Sequence, residues 1–150
     1  MTRVRRVALA VALALAVGAG VTTAASAVDS ARRTDPPVGP GVVTVEVGID
    51  HSRFVMEPLR VVEGTVLRFV VRNDDPIDHE LIVGPPEVHR RHEAGTEGRH
   101  PPVPGEVSVA PGATGLTFYE VTGPGPLTYA CHLPGHVAFG MAGEIDVVSA

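Results

Sequence analysis

Cysteine is almost missing from this 150-residue chain: Cys131 stands alone, so no intrachain disulfide can form. Lysine is missing altogether, and all 12 basic residues are arginine, a bias of composition without functional content. No apolar run reaches the roughly 20 residues of a membrane span; the run from Val7 to Val17 is too short and too rich in alanine. Beyond it, no stretch keeps a sustained helical period, and no internal repeat is found.

What is present begins with an export pattern. Arg3, Arg5 and Arg6 precede the apolar run, and Ala25-Ser26-Ala27 supplies small residues at a cleavage site. Residues 1–27 therefore read as a signal peptide, with an uncleaved N-terminal anchor as the alternative. No Cys follows the run, so a lipoprotein attachment lacks an acceptor. Cleavage would leave 123 residues, enough for one core, with 9 arginines against 17 acids and a net charge of −8 with His neutral. That balance argues against nucleic acid and anionic membrane surfaces as partners. It also makes the lone Cys informative. An exposed free thiol is a liability outside the cytoplasm, so Cys131 is either buried and inert or bound to a metal.

Residues 28–41 are polar and rich in Pro and Gly, as in a flexible linker, and residues 42–150 read as one domain. Strands are expected at Val42–Ile49, Phe54–Val55, Leu59–Val62, Val66–Arg72, Glu80–Val83, Val107–Val109, Leu116–Val121, Leu127–Ala130 and Gly143–Val148. These segments are rich in β-branched residues and separated by Gly, Pro or Asp turns. The expected fold is all-β, an antiparallel Greek-key sandwich or barrel of about seven to eight strands. Gly84 to Glu106 interrupts the pattern with 23 residues, five Pro and three His, and reads as a long loop insert.

Cys131, His136 and Met141 are spaced C-x4-H-x4-M between two expected strands. A thiolate and imidazoles suit both oxidation states of copper, with a thioether as weak axial ligand. One further His is needed, and His79 is the candidate, at the point where the Asn73–Asp78 turn enters a strand. Cys with two His would also accept zinc, but copper lies above zinc in the Irving–Williams order.

The C-x4-H-x4-M run, the Asn-containing turn and the His79-Glu80-Leu81 strand resemble the blue-copper (cupredoxin) family over about residues 42–148. The longer pattern, with its His-containing insert, Pro-Gly-His and Gly-Met-Ala-Gly, is similar to exported cupredoxin-like proteins linked to copper tolerance. The resemblance implies one copper on His79, Cys131, His136 and Met141. It departs at Glu80, where many family members have an Asn that ties the two ligand loops together. His132 extends the match toward the H-C-H-x3-H-x4-M run of multicopper oxidases, but Ala130 replaces the first His. Without that His and paired H-x-H motifs, a trinuclear cluster cannot be assembled, which speaks against an oxidase and against an enzyme.

The resemblance implies a one-electron carrier that meets redox partner proteins by transient contact. His136 would be the electron port, within an apolar patch of Leu133, Pro134, Val137, Ala138 and Phe139. The alternative is copper tolerance, sequestration or delivery together with copper-handling proteins. Either role implies an exported monomer at the periplasm, the cell surface or outside the cell, without a membrane span after cleavage. His89, His92 and His100 in the insert are candidates for a second, labile metal site, although a solvated loop is the plainer reading. His132 reads as a solvent-facing neighbour of the ligands, His51 as structural, and Asn73 and Asp74–Asp78 as turn formers.

Overall fold

The computed structural model describes residues 36–94, 99 and 101–150. The signal-peptide reading of residues 1–27 and the candidate ligand His100 lie outside the described residues. Among the described residues nine strands form: β1 (Val42–Asp50), β2 (Arg53–Val55), β3 (Arg60–Val62), β4 (Val66–Asn73), β5 (His79–Gly84), β6 (Glu106–Val109), β7 (Thr114–Glu120), β8 (Gly125–Ala130) and β9 (Ala142–Val148). They make two sheets, ordered β2-β1-β4-β7 and β3-β9-β8-β5-β6.

Alternation in sequence becomes alternation in burial. Val45, Val47 and Ile49 of β1 point inward, as do Leu67, Phe69 and Val71 of β4. Leu81, Leu127, Ile145 and Val147 meet them from the other sheet and close one core. Most pairings are antiparallel as expected. Two are not: β1 runs parallel to β4 and β3 parallel to β9. Strand periodicity sets which face is buried but carries no information on the direction of a distant neighbour, so the sequence could not anticipate these pairs.

The segment read as a linker is joined to the domain at its described end. Val38 bridges Val61: its N–H donates to the Arg60 carbonyl (2.9 Å) and its own carbonyl accepts from Val62 (3.1 Å). The insert also departs from the expected loop, because Pro86–Ala94 forms a helix, α1. Pro86 opens it where a missing N–H costs nothing, Glu87 lies in the first turn, and Arg91 and His92 lie in the last. Its inward face carries Val88 and His89 rather than a longer apolar stripe, so no helical period was legible.

Two glycines let α1 and the following chain approach β5. A Cβ on Gly84 would lie 3.0 Å from the Val88 side chain. Gly105 has φ +82°, and a Cβ there would lie 2.5 Å from the Val83 carbonyl oxygen. Covered in this way, β5 is buried at all six positions, and its first residue is His79.

Candidate metal centre

Two loops at one end of the sandwich build the centre. The first, between β4 and β5, is organised by Asn73, which is fully buried. Its side-chain amide donates to the carbonyls of Ile77 (2.8 Å) and Val109 (3.0 Å), and its Oδ1 accepts the Asp75 N–H (3.0 Å). Asp75 is thereby aimed inward. Its carboxylate accepts from the His79 ring at Nε2 (2.9 Å) and from the backbone N–H groups of His51 (2.7 Å) and Ser52 (2.6 Å).

That arrangement assigns the His79 tautomer. A carboxylate here only accepts, so Nε2 carries the proton and Nδ1 keeps its lone pair. His79 is fully buried, and Nδ1 has no hydrogen-bond partner. An orphaned acceptor of that kind calls for a ligand.

The second loop joins β8 to β9. The Cys131 N–H donates to the Met141 carbonyl (3.1 Å), and the Met141 N–H donates to the His136 carbonyl (3.0 Å). Gly135 takes φ +86° in the tight turn that presents His136. The Cys131 sulfur lies 3.2 Å from His136 Nδ1, and the His79 and His136 rings have centroids 4.8 Å apart. One ligand atom each from His79, Cys131 and His136 lies within 4.8 Å of the others, a set able to hold a single ion. Met141 is fully buried and tied by backbone to the other two loop residues.

Electrostatics fit the donor set. Burial pushes the Cys131 thiol up to about 11, against the backbone N–H groups of Glu80 and Leu133, which pull it down. The thiol is therefore protonated at neutral pH without a metal, and binding an ion there displaces that proton. Burial, followed by the neighbouring His79 ring, lowers the basicity of His136 and leaves its imidazole neutral and ready to ligate.

Glu80 stands where the family resemblance expects Asn. Its Oε1 accepts the His132 backbone N–H (2.8 Å), so a tie between the two loops persists with a carboxylate as acceptor. His132, read as a solvent-facing neighbour, is partly buried, and its Nε2 lies 2.9 Å from His89 Nδ1. His89 is buried on α1 rather than in a solvated loop, while His92 pairs with Glu106 (3.1 Å). His51 is a turn residue: its ring meets Asp50 (2.8 Å), and it lines a surface hollow with Ser52, Arg53, Pro134, His136 and Phe139. Sequence reasoning missed Asp75 as the orienting group. Its one signal was its place four residues before His79, inside a turn rich in acids.

No family model matches the chain. A curated relative, "Copper-resistant cuproprotein CopI" of Rubrivivax gelatinosus, is 34% identical over 102 residues, which is 65% of this chain and 61% of that protein. The chain thus spans less than two thirds of that relative's length. Among solved structures, reduced auracyanin from Roseiflexus castenholzii superimposes with a TM-score of 0.59 at 19% identity, over 72% of this chain and 99% of that one. Auracyanin A, a "blue" copper protein from Chloroflexus aurantiacus, gives a TM-score of 0.55 at 22% identity, over 72% and 100%. The fold is cupredoxin-like, and the sequence is similar to proteins named copper-resistant cuproproteins.

Proposed function

We propose that the chain is an exported mononuclear type 1 copper protein. Its ligands would be His79 Nδ1, Cys131 Sγ, His136 Nδ1 and, as the weak axial group, Met141. The observation that carries this reading is the buried His79: its Nδ1 is unpartnered, and its ring offers a ligand atom within 4.8 Å of one from Cys131 and one from His136. Bound there, copper would supply one-electron chemistry between Cu(II) and Cu(I). The chain's own part is to hold the ligands still: Asp75 orients His79, Glu80 pins the backbone beside Cys131, and the Met141 hydrogen bonds close the loop. A site rigid in both oxidation states suits a one-electron carrier.

His136 is the partly exposed ligand, and Pro134, Val137, Ala138 and Phe139 are exposed around it. Such a small apolar surface suits brief redox encounters. A second reading, copper tolerance or delivery outside the cytoplasm, is favoured by the relatives named copper-resistant cuproproteins. Export itself rests on the pattern in residues 1–27.

The purified protein loaded with Cu(II) should show an intense thiolate-to-copper band, absent from Cys131→Ser. No band, or zinc retained in preference to copper, would overturn the reading. Growth of a deletion strain on copper then separates the two roles: normal growth favours the carrier, and sensitivity favours tolerance.

A further inference from the structure

Beside the Cys131 centre, on the face covered by α1, two imidazoles meet that the proposed copper site does not use. His89 Nδ1 and His132 Nε2 are 2.9 Å apart. The tautomer of His89 follows from its other nitrogen. Nε2 lies 3.1 Å from the Gly84 carbonyl oxygen and 3.3 Å from that of Thr128, and carbonyls only accept. Nε2 therefore carries the proton, and Nδ1 turns a fixed lone pair toward His132. Main-chain carbonyls that fix a ring in this way are the usual support of a metal-ligating His.

The spacing suits an ion as well as a hydrogen bond. Two nitrogens each about 2.0–2.1 Å from one metal are about 2.9 Å apart when they subtend about 90° at it. His92 lies beside the pair, its ring stacked on that of His132 with centroids 5.9 Å apart and planes at 21°. Glu106 holds His92 at 3.1 Å, so the third imidazole is kept close.

The geometry points to a second metal site, on His89 Nδ1 and His132 Nε2 with His92 adjacent, for Cu(II), whose tetragonal geometry takes neighbouring nitrogens at about 90°. It differs from the set His89, His92 and His100 suggested by sequence, because His132 arrives from the β8–β9 loop. Without metal, the His132 Nε2 proton bridges the two rings. On binding, that proton moves to the other nitrogen of His132, and both facing lone pairs go to the ion. One peptide bond would then separate a ligand of this ion from Cys131.

The test uses the full chain in equilibrium dialysis against Cu(II), with copper counted per chain and the visible and electron paramagnetic resonance spectra recorded. Two ions per chain are expected, the second with nitrogen hyperfine structure and no thiolate band. His89→Ala and His132→Gln should each lower the count to one and keep the thiolate band, which also reports an intact fold. If His89→Ala does not fold, His132→Gln decides. A count of one in the unchanged protein, or of two in His132→Gln, overturns the site. Cys131→Ser separates this inference from the proposed function: it should lose the band and keep one ion.

Discussion

Asp75 serves three groups with one carboxylate: the His79 ring and the backbone N–H groups of His51 and Ser52. Burial works against its ionisation, yet the hydrogen bonds from Ser52, His51 and His79 outweigh it and hold the carboxyl below its usual range. Removing such an acceptor leaves donors unpaired, which costs about 1–3 kcal/mol. Asp75→Ala should therefore destabilise the metal-free protein by that order in urea unfolding. Loss of an orienting partner also weakens metal sites by about 10–100-fold. The same variant should lose copper affinity on that scale in a chelator competition. A merely structural Asp75 would change the unfolding curve and leave the affinity of the folded protein alone.

The β1–β2 hairpin has a two-residue turn, His51-Ser52, with φ of +51° and +54°. Both values belong to a type I′ turn, which favours Asn-Gly. Here Asp75 compensates by accepting both turn N–H groups, which also joins the hairpin to the loop that carries His79. Replacing the pair by Asn-Gly keeps those N–H donors and relieves the backbone. It should stabilise the protein by about 0.5–1 kcal/mol, read as a raised thermal midpoint. At β4, Phe69 is fully buried between the sheets. Phe69→Ala should cost about 3–5 kcal/mol through the lost burial and the cavity left behind, measured by denaturant unfolding.

At the scale of the molecule, the centre joins two loops from one end of a two-sheet sandwich, and an ion held there binds only the folded chain. Mass action then adds about 4 kcal/mol of stability when free copper stands a thousandfold above its dissociation constant. Copper loading should raise the unfolding temperature, chelation should reverse it, and Cys131→Ser should lose the share contributed by this centre. Calorimetry of the loaded, chelated and mutant forms checks this. The exposed surface beside the centre belongs to the same scale: Phe139 is 75% exposed at the rim of the hollow that contains His136. Phe139→Asp should slow electron exchange with a redox partner in stopped flow and leave the thiolate band unchanged.

Much of this was local and therefore legible. Inward valines at every second position marked β1, and the C-x4-H-x4-M spacing lies within one loop, so Cys131, His136 and Met141 could be read as a group. His79 was reachable because a turn and a strand flank it. Groups that come together from distant parts of the chain were not legible. Asp75 meets the His51-Ser52 turn across more than 20 residues, and His89 meets His132 across 43. The parallel pairing of β1 with β4 and the helix in the insert belong to the same class, since α1 carries too few apolar residues to show a period. Sequence by itself determined the strands, the loop and the types of donor atom, because these depend on neighbours along the chain. Only the tertiary structure decided which nitrogen of His79 and of His89 is free, because that depends on which acceptor the fold places against the other nitrogen.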